Sequence, residues 1–92
     1  MQLERKRDQI LRICRRHGVR AIWVFGSVAR QEHDARSDVD FLVELEPDRT
    51  LLDLAALKRE LETLLGRPVD VLTPASLRAP MKERVWKEAR PL

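Results

Sequence analysis

Apolar and polar positions along the chain change period several times, and each change marks an element. From Gln2 to His17, apolar Leu3, Ile10, Ile13 and Cys14 recur on one side among many charges, which predicts an amphipathic helix stopped by Gly18. Val19 to Phe25 follows, ending in the unbroken apolar run Ile22-Trp23-Val24-Phe25. That run is too short for a confident helix and too apolar for a surface strand, so it predicts a strand buried on both faces in the middle of a sheet. At Gly26-Ser27 the run stops; Val28 to Gln31 fits the first turn of a short helix, and Gln31 to Arg36 a polar connection.

Period two begins at Asp38. Val39, Phe41, Val43 and Leu45 share one face of a strand, and Asp38, Asp40, Leu42 and Glu44 the other, until Pro47 removes a ladder donor. Thr50 with Asp53 resembles a capping box, and Leu51, Leu54, Leu57, Leu61 and Leu64 then keep helical spacing to Gly66, which predicts a helix laid over the sheet. Arg67 to Thr73 reads as a third short strand, with Val69 and Val71 on one face and Asp70 and Leu72 on the other. Thr73-Pro74 suits a capped helical turn. Pro80 can open a last helix through Ala89, with Met81, Val85 and Ala89 four apart and Trp86 beside that stripe. Trp86 then either covers the chain's own core or stays half exposed as a partner's anchor. The order α-β-α-β-α-β-α predicts an α/β (α+β) fold, a small mixed sheet of three or four strands covered by helices.

The chemistry gathers where the first two strands approach each other. Gly26 permits backbone angles and close ligand approach that a side chain would forbid, and Ser27 fits an N-cap. The unpaired N–H groups of the following turn, with the Ser27 hydroxyl and Arg30, would make an anion site suited to phosphate. Asp38 and Asp40 stand about 6.5–7 Å apart by strand rise at the same end. Two like charges there repel unless a cation sits between them, and carboxylate oxygens with phosphates are a usual magnesium environment. A calcium loop counted from Asp38 fails, because it puts Val43 where Gly belongs and Arg49 where Glu belongs. If the third strand pairs beside the second with both valine faces inward, Asp70 joins the other two, able to hold metal and receive the proton of an attacking hydroxyl.

Composition narrows the classes without choosing among them. A chain of 92 residues predicts one domain, residues 1–92, with a modest core and no second domain to cradle an acceptor, so a partner protein or another copy becomes part of the hypothesis. Eighteen Lys and Arg against 15 Asp and Glu give +3, but the charges are interspersed and no aromatic-interleaved basic run favours nucleic acid. Arg30 and Arg36 are placed to balance the field of the carboxylates. The single Cys14 fits core packing and a reducing cytosol, and His17 and His33 lack neighbours at metal-ligand spacing. No apolar stretch reaches membrane length and the charged amino terminus lacks a signal-peptide core, which predicts a cytoplasmic protein.

Taken together, Gly26-Ser27-Val28-Ala29-Arg30, Ser37-Asp38-Val39-Asp40-Phe41-Leu42-Val43 and Val69-Asp70-Val71 resemble the signature of the minimal nucleotidyltransferases, the small branch of the DNA polymerase beta-like superfamily. The resemblance implies the nucleotidyltransferase fold, with Asp38, Asp40 and Asp70 as the catalytic, metal-holding triad for two magnesium ions. It places the triphosphate of ATP or another nucleoside triphosphate at Gly26, Ser27, Arg30 and Ser37. The implied chemistry is attack of an acceptor hydroxyl on the α-phosphorus with release of pyrophosphate. One departure is Gln31, where many members carry Gly, which bears on the short helix and the following loop. The resemblance further implies a HEPN-domain toxin as partner, blocked by AMP added to a tyrosine, with this chain as the antitoxin. A silent antitoxin acting by occlusion, and a basic RNA-binding domain, are the competing readings; a homo-oligomer is compatible with all three.

Overall fold

The computed structural model describes residues 3–26 and 38–92. Helix α1 spans Arg7–Arg16 and buries Ile10, Ile13 and Cys14; Asp8 in its first turn and Arg15 and Arg16 in its last suit the helix dipole. Strand β1, Val19–Phe25, leads to strand β2, Val39–Leu45. Helix α2, Leu51–Leu65, opens with reciprocal bonds: Leu52 N–H donates to Thr50 Oγ1 at 3.2 Å and Thr50 N–H donates to Asp53 Oδ2 at 2.9 Å. It closes at Gly66, whose φ of 67° is the left-handed cap that a side chain would strain. Strand β3 is Val69–Leu72, followed by a 3-10 turn at Pro74–Ser76, helix α3 at Met81–Glu88 and strand β4 at Arg90–Pro91.

The sheet runs β3-β2-β1-β4. β1 is antiparallel to both β2 and β4, whereas β2 and β3 are parallel, with α2 as the crossover that a parallel pair requires. One face carries Ile22, Val24, Val39, Phe41, Val43 and Val69 into a core closed by α1 and by Leu57 and Leu61 of α2. The other face carries a smaller cluster in which Phe25 and Leu42 meet Leu77 and Val85, with Trp23, Leu72 and Ala89 at its margin. The mixed four-stranded sheet and the valine face of β2 and β3 agree with the sequence reading, and so does the run of β1 except at Trp23, which is only half-buried.

Four local expectations are corrected. The first helix begins at Arg7 rather than in the first residues, of which Gln2 lies outside the described residues; Leu3 to Lys6 form turns. Lys6 is a donor only and cannot cap the exposed N–H groups, and its ammonium instead serves the Leu64 carbonyl at the end of α2, 2.6 Å away. Leu51 is 81 % exposed, not core. Steps of three residues fall about 60° short of a full turn, so two of them carry Leu51 about 120° around the helix from buried Leu57. Met81 is likewise exposed, one turn ahead of buried Val85 and outside the small cluster. β4 is absent from the sequence reading because two residues show no alternation; its Pro91 fits an edge strand, which need not donate outward. No helix among the described residues is long and apolar enough to cross a membrane.

Candidate active site

β1 delivers its last residue, Phe25, opposite Asp40 of β2, so the chain leaves the sheet at Gly26 beside the Asp40 carboxylate. Gly26 has φ 76°, and a Cβ built there would collide with Asp40 Oδ2. The glycine therefore satisfies both a left-handed backbone and a close approach. Ser27, Arg30, Ser37, Gln31 and Arg36 lie outside the described residues, as does the expected helical turn after Gly26.

The parallel ladder supplies the decisive geometry. Val39 pairs with Val69 and Asp40 with Asp70, so the two carboxylates stem from neighbouring strands about 4.8 Å apart. Both valines are buried in the main core, at 0 % and 1 % exposure. A slip of one residue would turn Asp70 into that core and Val69 out of it, so burial fixes the register. Two bonds hold the start of β3 in place: Val39 N–H donates to the Pro68 carbonyl at 2.9 Å, and Val69 N–H donates to Glu62 Oε2 of α2 at 3.2 Å. Glu62 thus orders the strand that carries Asp70, a role without a local sequence signal, since it depends on where α2 docks.

Asp38 immediately precedes β2 and by alternation falls on the side of Asp40. Asp38 and Asp70 are exposed and Asp40 is half-buried. The backbone thus gathers all three at one end of the sheet, although among the described residues no three acidic, His or Cys side chains close into a metal cage as they stand. Three carboxylates form a hard-oxygen donor set, which fits magnesium in kind. Inward along the same face, Leu42 and Leu72 pass under the segment from Leu77 to Ala89. His17 caps α1 near Glu60, with Nε2 and Oε2 3.2 Å apart, and Cys14 is buried in the core, in keeping with structural roles.

Residues 7–92 match the family described as the nucleotidyltransferase domain. The chain belongs to this family. Among its relatives, protein adenylyltransferase MntA of Thermococcus cleftensis is 44 % identical over 73 residues, 79 % of this chain and 74 % of that protein. A solved structure of a candidate minimal nucleotidyltransferase superposes with a TM-score of 0.88 at 48 % identity, covering 98 % of this chain and 92 % of that one. This nucleotidyltransferase also shares its fold with chains of solved toxin–antitoxin complexes. One, with AMP-PNP, has a TM-score of 0.78 at 20 % identity over 91 % of this chain and 69 % of that one. Another, a tri-AMPylated Shewanella oneidensis HEPN toxin with its MNT antitoxin, has a TM-score of 0.73 at 19 % identity over 99 % and 71 %. The protein is an enzyme of nucleotidyl transfer, of the protein adenylyltransferase kind.

Proposed function

We propose that this nucleotidyltransferase transfers AMP from ATP to a tyrosine hydroxyl of a HEPN-domain toxin and acts as the antitoxin of that pair. The observation that carries the reading is the pairing of Asp40 with Asp70 beside Gly26, which sets carboxylates from two strands against a glycine turn at one end of the sheet. The relatives' activity and the HEPN toxin found with a structural neighbour support the acceptor class.

In this reading Asp38, Asp40 and Asp70 would hold magnesium, which when bound would supply charge neutralisation for the triphosphate during transfer. Gly26, Ser27, Arg30 and Ser37 seat the triphosphate, with Gly26 leaving room for close backbone approach. The acceptor oxygen attacks the α-phosphorus and forms the new O–P bond. The bond from that phosphorus to the pyrophosphate oxygen breaks, and pyrophosphate leaves with the electron pair. Asp70, exposed at the mouth of the site, takes the hydroxyl proton on its carboxylate.

Incubation with labelled ATP, magnesium and the HEPN protein is expected to label the HEPN protein, and chelation of the metal to stop it. Asp38→Asn and Asp40→Asn should each abolish transfer; unchanged transfer by both would refute the metal assignment. Asp70→Asn should lose transfer while retaining measurable metal binding. A tight but unlabelled wild-type complex would favour inhibition by occlusion, and RNA binding that survives all three substitutions a nucleic-acid role.

A further inference from the structure

The face that ends in the carboxylates is crossed, further in, by helix α3. Val85 anchors this helix on Phe25 and Leu42, whereas the next residue, Trp86, remains 39 % exposed. Trp86 is nevertheless fixed in place, because its ring meets Trp23 edge-on with centroids 4.9 Å apart and planes at 79°. An aromatic side chain already immobilised against its own protein loses little freedom when a partner covers it. Exposed cations outnumber exposed carboxylates along this segment. From Arg78 to Arg90 the side chains of Arg78, Lys82, Arg84, Lys87 and Arg90 are exposed, against Glu83 exposed and Glu88 half-buried.

We propose that the outer surface of α3, centred on Trp86, is the seat of the acceptor protein, and that the matching surface is an apolar pocket ringed by carboxylates. The proposal rests on the reading that the acceptor is a protein. It would give the enzyme a grip on a macromolecule beside the candidate catalytic end. A helix is about 10–12 Å across, so a chain resting on α3 lies within about one helix diameter of the strand face that ends at Asp40 and Asp70. A single anchored ring inside a mixed rim of Lys, Arg and Glu suits a protein surface, whereas single-stranded nucleic acid favours successive stacking rings along a basic groove.

The test compares the full chain with its Trp86→Ala variant and with a Lys82→Glu/Lys87→Glu variant, measuring affinity for the HEPN protein by titration calorimetry and affinity for AMP-PNP in parallel. Trp86→Ala should weaken the protein complex about 30-fold, as an interface hot spot does. The charge reversal should weaken it about tenfold at low salt and less at high salt. AMP-PNP affinity should stay within twofold in both. Because Trp86 also touches Trp23, the charge-reversed chain guards against a folding defect. Protein affinity unchanged in both variants, or a loss confined to binding of a single-stranded RNA, would overturn the seat. A wild-type complex that carries no label but depends on Trp86 would sink the transfer reading and leave the seat standing; a labelled complex indifferent to both variants would do the reverse.

Discussion

At the scale of single residues, Gly26 does more than turn the chain. Its φ of 76° and the Asp40 carboxylate against it mean that Gly26→Ala adds two separable costs, a left-handed backbone and a collision. The first is about 1–2 kcal/mol, so urea unfolding should show at least that loss, and Asp40→Ala in the same chain should remove only the part due to the collision. Cys14 offers a second check. Burial pushes its thiol from 9.0 up to about 11, so the native protein should resist alkylation at pH 8 and react only as it opens. The raised value also sets a sign: the unfolded thiol ionises first, so stability attributable to Cys14 is complete below about pH 9 and falls as pH climbs toward 11. Denaturation curves across that range should lose this slope in Cys14→Ala. Both residues could be singled out from the chain alone, Gly26 by ending an apolar run and Cys14 by its place in a helical stripe. The contact of Gly26 with Asp40 could not, because it needs the pairing of Phe25 with Asp40.

Elements reveal what local pattern does and does not decide. The cap of α2 was written in Thr50 and Asp53, and both bonds form. Thr50→Ala should therefore cost about 1 kcal/mol in thermal or urea unfolding. The Asp53 carboxyl is held below its ordinary 3.8, first by the Thr50 N–H and also by nearby Arg49. Its contribution is thus present above pH 3.8 and lost as pH drops through the lower folded value, so acid titration of Asp53→Asn should show a shallower decline than wild type. The alternation of β2 and β3 was legible for a similar reason, since burying Val39, Val43 and Val69 leaves one register in which Asp40 and Asp70 meet. By contrast, the start of α1, the exposure of Leu51 and Met81, and β4 depend on where neighbours lie. Lys6 reaching Leu64 and Arg90 pairing with Val24 join positions far apart in the chain, which no window of sequence contains.

For the whole molecule, the two cores have unequal work. The larger one, around Phe41, Leu57 and Leu61, holds the helices to the sheet; the smaller one, around Leu42 and Val85, supports the face that carries the candidate site. β1 and β2 form an antiparallel pair, but Asp70 arrives beside Asp40 only after α2 has crossed over and β3 has docked in parallel. Non-local pairing of that kind is the slow part of forming a small α/β sheet. With Asp70 assigned as proposed, catalytic competence is all-or-none: a fragment that has not yet formed β3 carries Asp38 and Asp40 without the third carboxylate. In rising urea, enzymatic turnover and far-UV ellipticity should vanish along one shared curve. On that assignment, a chain still being synthesised would gain transfer activity only once β3, in its final third, has emerged and docked.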